Sequence, residues 1–209
     1  MESVCDKVRA ACARVAELAR SVEIDEAAIE AYARELAPPA EMDATRPIDG
    51  DRETRAAFLI CLDAINFGSG WFPTLRKPPG CSGYFTVAWG LADRFRADGP
   101  WSNEELRTLD ATIVATTLGQ DPDHELMALY PTALNDLGAF LGDRQTLDLV
   151  GESAEAFAAT LAQGMPFFDD AGFYKRAQIA ANDLALAGVA EFTDLERLTI
   201  FADNLVPHV

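Results

Sequence analysis

The sequence predicts an all-α fold, a single compact helical domain over residues 1–209. Three observations carry that prediction. Apolar residues recur at a helical 3.6-residue period through most of the chain. Helix-start signatures of the Ser/Thr-x-x-Glu kind recur, at Ser102 with Glu105 and at Thr193 with Glu196. No long run of alternating β-branched residues exists to build a sheet, although a hairpin around Phe167–Phe173 is an open minor alternative.

The elements follow in order. Residues 2–20 are Ala-rich, with Val4, Val8, Ala11, Val15 and Leu18 on one stripe, and Cys5 and Cys12 share a face on which thiols are expected to be buried. A second helix is expected from about Asp25 to Leu36, stopped by Pro38-Pro39. The proline-containing stretch to Gly50 reads as an ordered loop. Residues 52–67 form a third helix with Phe58, Leu62 and Ile65 inward, and Gly68 to Gly80 a loop carrying Arg76 and Lys77. Helices are then expected over about 83–97, from the Ser102 box, and over 110–118, 123–141 and 153–163. After a turn region at Pro166–Gly172, a helix runs from Phe173 to Ala187 with Gly188 as C-cap. A last helix is expected from the Thr193 box to about Asn204.

Composition bounds the function. With 17 Lys+Arg against 34 Asp+Glu, the net charge is −17, which disfavours long nucleic acid as a partner. Base flipping from DNA in particular needs a cationic groove that this balance does not supply. The four cysteines, Cys5, Cys12, Cys61 and Cys81, form no CxxC pair, and only His124 and His208 could join them, so no metal site is expected. Unpaired cysteines, no cleavable apolar leader and no membrane-length apolar run lead to a soluble cytoplasmic protein as the expectation, with no membrane partner. The sequence has no Walker loop, no GxGxxG and no GxSxG. His124, in Asp121-Pro122-Asp123-His124-Glu125, reads as part of a helix start.

Three carboxylates stand among apolar neighbours: Asp63 after Cys61-Leu62, Asp183 flanked at helical spacing by Ile179 and Leu186, and Asp203 after Ile200-Phe201-Ala202. A half-buried carboxylate is costly without partners, so three of them suggest a polar pocket in a helical core. Plainer readings tie Asp63 to Asn66, pair Asp183 with Arg176, or leave Asp203 in solvent. Two basic islands, Arg76-Lys77 and Lys175-Arg176, could hold an anion, the second at a helix N-terminus with free backbone N–H groups. Phe67, Trp71, Phe72, Tyr84 and Phe85 gather around the long loop, either as core or as a platform for a flat base.

Several of these segments resemble one known family. Leu62-Asp63-Ala64-Ile65-Asn66-Phe67 with Gly70-Trp71 is similar to the Asp-x-x-Asn-Phe…Trp segment of the queuosine salvage proteins. Gly83-Tyr84-Phe85 resembles that family's Gly-Tyr-aromatic helix. Phe173-Tyr174-Lys175-Arg176-Ala177-Gln178-Ile179 matches its most distinctive run, with an aspartate following at Asp183. Leu198-Thr199-Ile200-Phe201-Ala202-Asp203 matches its Phe-Ala-Asp motif, and Pro207 falls where a proline is expected. The match runs from about residue 25 to the end.

The resemblance implies a fold related to helix-hairpin-helix DNA glycosylases. It implies hydrolysis of queuosine 5′-phosphate to queuine and a ribose phosphate, a step in queuosine salvage for tRNA modification, without metal or cofactor. Asp203 would be the catalytic carboxylate and Asp183 would contact base or ribose. Lys175, Tyr174, Asp63, Asn66, Phe67, Trp71, Tyr84 and Phe201 would complete the substrate site. The only partner expected is the small-molecule nucleotide or nucleoside. The family continues beyond its Phe-Ala-Asp motif with further helices, whereas this sequence stops at Val209, as a shortened homologue or as one lacking its final part. The rival readings are a binding protein of the same fold that holds the base without cutting it, a DNA glycosylase, and a helical partner protein.

Overall fold

The computed structural model describes residues 3–21, 23–35, 48–170 and 172–199. These form α1 (Val4–Leu18), α2 (Glu26–Glu35), α3 (Arg52–Ala64), α4 (Gly83–Asp98), α5 (Asn103–Leu106), α6 (Ala111–Leu118), α7 (Glu125–Leu141), α8 (Ala154–Gly164) and α9 (Lys175–Leu186), joined by loops and short 3₁₀ turns. No strand occurs among the described residues, so the hairpin alternative at 167–173 is set aside: Pro166–Phe168 is a 3₁₀ turn.

The centre of the molecule is α3. Ala56 and every residue from Phe58 to Ala64 are buried, a helix apolar nearly all round and therefore enclosed on all sides. It packs against α4, α7 and α9, while α9 packs on α8 and α7 gathers α5 and α6. One contiguous core runs from Ile48 to Ala190. Asp51 starts α3, its carboxylate accepting from Thr54 N at 2.8 Å. The Ser102–Glu105 capping box forms as read from sequence, and Gly188 takes the left-handed φ of +63° just past α9.

Helices cross closely where side chains are missing. A Cβ placed on Gly138 of α7 would lie 2.7 Å from Leu106 Cβ, 2.8 Å from Asn103 O and 2.9 Å from Arg107 N. Two of those atoms are backbone and cannot swing away. Gly138→Ala is therefore expected to destabilise the protein by about 3 kcal/mol, lowering the thermal midpoint by roughly 10 °C in a circular-dichroism melt.

Four sequence expectations are corrected. The α1 stripe is buried only at Val4 and Val8; Val15 and Leu18 are 64 % and 69 % exposed, because only the first half of α1 rests on α8. Cys12 is correspondingly exposed while Cys5 is buried. The third helix ends at Ala64 rather than at 67, so Asn66 and Phe67 lie in the loop that follows. The Thr193–Glu196 box does not form. Thr193 N donates to Glu152 O at 2.8 Å, and Asp194 accepts from Ser153 Oγ and Ala154 N, both at 2.6 Å. Residues 193–194 thus cap α8 instead of opening a helix of their own, and a 3₁₀ turn, Leu195–Arg197, follows; the part of the expected helix beyond residue 199 lies outside the described residues.

Candidate active site

Where α9 packs on α3, the charge of Asp183 acts on the carboxyl of Asp63. Asp63, on the last turn of α3, is 1 % exposed. Burial, and then the negative charge of Asp183, push its carboxyl well above the usual range, against weaker help for the anion from Asn66 and Arg176. The Asn66 side chain favours the Asp63 anion, although no described residue closes a hydrogen bond of full geometry to either Asp63 oxygen. The tie to Asn66 read from sequence is thus present as a weak interaction that burial outweighs. Asp183, on α9, is raised to about 6, chiefly by burial, with Asn182 favouring its ionised form. Tyr84, near the start of α4, completes the group: burial and the charges of both aspartates push its phenol upward.

Beside the acids lies a cation held by rings. The Arg176 guanidinium stands 5.0 Å from the Phe67 ring and 5.8 Å from those of Phe167 and Phe168. Phe67 and Phe167 stack at 5.0 Å. Phe67 is fixed from its other side by Tyr130, whose ring meets it edge-on and whose hydroxyl donates to Phe67 O at 3.1 Å. Aromatic faces stabilise a cation that burial has stripped of water. Burial still weakens Arg176 as a base, against the charges of Asp170 and Asp63. These, and not Asp183, are its acidic neighbours, so the pairing of Arg176 with Asp183 is not what the fold makes. Among the described residues its Nη1 is buried without a hydrogen-bond partner, as is Asp170 Oδ1.

The N-terminus of α9 is built by Asp170. Its Oδ2 accepts from Lys175 N at 2.9 Å, so a carboxylate already occupies one of the backbone donors read as free for a phosphate. Tyr174, just before the helix, takes φ +51°, a non-glycine residue in the left-handed region. It lines a cleft of 240 Å³ with Val4, Lys7, Ala159, Ala162, Gln163 and Asp169. That cleft shares none of these residues with the acid pair. Further along α9, Gln178 donates to Thr199 Oγ1 at 2.9 Å and accepts from Thr199 N at 2.7 Å, pinning the chain four residues before Asp203.

These segments fall within matches to known proteins. Residues 46–209 match the family described as "Queuosine salvage protein". The chain belongs to the queuosine salvage protein family. A relative from Sphaerobacter thermophilus, named "Queuosine 5'-phosphate N-glycosylase/hydrolase", is 31 % identical over 223 residues, covering 94 % of this chain and 69 % of that protein.

Within this queuosine salvage chain, the fold brings Asp63, Asn66, Phe67, Tyr84 and Asp183 into one neighbourhood. Trp71 is elsewhere engaged: it is 38 % exposed and its indole N–H donates to Glu125. The Arg76-Lys77 island is consumed locally. Arg76 pairs with Asp121 at 2.8 Å, and Lys77 donates to Phe72 O at 3.0 Å. His124 caps α7, its Nδ1 accepting from Leu126 N at 3.2 Å. Leu186, taken as an apolar flank of Asp183, is 55 % exposed. Asp203, Phe201 and His208 lie outside the described residues. The sequence offers Arg176 as an anion holder or as a partner for Asp183, and leaves Asp170 and Phe167 in a turn region. The signal for them was Phe167-Phe168-Asp169-Asp170, two rings and two acids directly before a helix start. Among the described residues no three His, Cys, Asp or Glu side chains could together hold a metal ion, and no helix is long and apolar enough to cross a membrane.

Proposed function

We propose that this chain hydrolyses the N-glycosidic bond of queuosine 5′-phosphate, releasing queuine and ribose 5-phosphate without metal or cofactor. The observation that carries the reading is the buried Asp63–Asp183 pair with Tyr84, in a member of a family whose Sphaerobacter relative bears that activity in its name. Breaking the bond sends its electron pair to the base and leaves positive charge on the anomeric carbon. Asp203 is the carboxylate that stabilises or attacks that carbon. Water then supplies the new C–O bond and gives up a proton. With its acid near 6, Asp183 is partly protonated at neutral pH and donates or orients a proton toward the departing base. Lys175 or Arg176 takes the 5′-phosphate. Phe67 and Tyr84 face the base, and Asn66 and Phe201 shape the site. The chain works in the cytoplasm on a small molecule and not on long nucleic acid, a reading its acidic charge and four free thiols support.

The test is direct. Purified protein incubated with queuosine 5′-phosphate is expected to release free queuine, read by mass spectrometry. Absence of queuine, with the nucleotide bound and intact, would establish a binding protein instead.

A further inference from the structure

The N-terminal helices leave a long stretch of chain uncovered. From Arg9 to Glu35 every described residue is exposed. The start of α1 differs: Val4, Cys5 and Val8 are buried, the first two against Ala159 of α8. Arg197 ties down that end. Its guanidinium pairs with Asp6 at 3.2 Å and with Glu155 at 3.1 Å, and its carbonyl accepts from Arg9 Nη2 at 2.6 Å. The rest of α1 projects from this anchored base.

What projects is apolar in a particular pattern. Val4, Val8, Ala11, Val15 and Leu18 follow one another at alternating steps of four and three, the narrow seam of a coiled coil. The seam starts inside the protein and ends in solvent at Val15 and Leu18. On α2, Ile29 and Tyr32 share an exposed face, with Ile24 exposed just before the helix. A ten-residue helix with no buried residue gains nothing from packing and is marginal in water. Within one chain neither face covers the other, since both stay exposed. Both helices also precede residues 46–209, which match the family, so the proposed chemistry does not require them.

Charge identifies the missing partner. Residues 9–20 hold Arg9, Arg14 and Arg20 against Glu17 alone, a basic stretch in a chain of net charge −17. Residues 23–35 hold five acids, Glu23, Asp25, Glu26, Glu30 and Glu35, against Arg34. The α2 segment thus complements α1 in charge as well as in its apolar face, and one protein surface carries both halves.

We propose that this surface is the interface of a homodimer, in which α1 of one copy lays its seam on α2 of the other and the two-fold axis repeats the contact. A closed two-fold interface uses the same patch on both partners, as a patch holding both complementary halves allows. Pairing α1 with α1 would bring arginine-rich helices together, and pairing α2 with α2 would oppose acids. At physiological ionic strength charges are screened beyond about 8 Å, so the overall negative charge of the two copies weighs less than the groups in contact. The dimer is independent of what the site hydrolyses.

Sedimentation equilibrium of the 209-residue chain tests it. Between about 1 µM and about 300 µM the mass is expected to rise from 22.6 kDa toward twice that value, with a dissociation constant of about 10 µM, as suits an interface at the small end of the size range. A mass of 22.6 kDa throughout overturns the proposal. Two variants locate the contact. V15E/L18E alters α1 alone and I29E/Y32E alters α2 alone, all at exposed positions, so both are expected to melt like the wild type. Each variant by itself is expected to dissociate at least about 30-fold more readily. Mixed in equal amounts they are expected to recover association, because one intact α1 then meets one intact α2 while the two damaged helices face each other. Pairing of like helices would give no such recovery, since every contact in the mixed dimer would hold one damaged helix. Variants that dimerise as the wild type does, or a mixture that associates no more tightly than either variant alone, overturn the α1–α2 pairing.

Discussion

Replacing Asp203 by asparagine is expected to reduce queuine release by about 10³-fold or more, with substrate binding little changed. The reason lies in where charge develops. As the glycosidic bond lengthens, the anomeric carbon becomes cation-like, and a fixed anion in a low-dielectric site interacts with it far more strongly than with the neutral ground state. Asparagine has the same shape and no charge, so the loss should fall on kcat and leave KM close to that of the wild type. A 10³-fold loss corresponds to about 4 kcal/mol of transition-state stabilisation. Steady-state kinetics with queuosine 5′-phosphate, beside a melt showing unchanged folding, checks it. Full activity in the variant would move the central role to another carboxylate, with Asp183 next in line.

Asp183→Asn is expected to do two opposite things. Activity should fall by about 10²–10³-fold, because the group that serves the departing base can no longer give up a proton. Stability should rise at alkaline pH. In the folded chain this acid titrates at about 6, above its ordinary 3.8. Between those values the folded state binds the proton that the unfolded state has lost. The stability this group lends is thus fully present below about pH 4 and disappears as pH rises through 6. Asparagine has nothing to ionise. The variant should therefore match the wild type near pH 4 and exceed it at pH 8 by up to about 3 kcal/mol. Thermal melts across that range test the second effect independently of any substrate. Equal stability at both pH values would mean that Asp183 is not held in its acid form by the fold. The wild-type rate should correspondingly fall as pH rises through the Asp183 titration.

The order of the helices was legible because their signals are local. Periodic apolar residues, a capping Ser102 with Glu105 and the glycine after α9 each act within a turn or two of their own position. Local signals failed where a distant partner offered a better bond. Thr193 and Asp194 carry the residues of a helix start, but the free N-terminus of α8 takes them. Val15 and Leu18 continue the stripe, but among the described residues nothing covers that half of α1, and both stay exposed.

Asp63, Asp183 and Tyr84 could likewise be singled out one by one from sequence, by their apolar neighbours and by resemblance. The sequence by itself determined that this is a helical, strongly acidic chain of the queuosine salvage family, because periodicity, charge and motif order need no third dimension. Only the tertiary structure decided which carboxylates share a site, that Arg176 sits among Phe67, Phe167 and Phe168, and that Trp71 and Arg76 are tied to Glu125 and Asp121. The physical reason is that an acid is perturbed by burial and by the charges beside it. Those are properties of helices packed together, with Asp63 and Asp183 separated by 120 positions of chain that no local pattern spans.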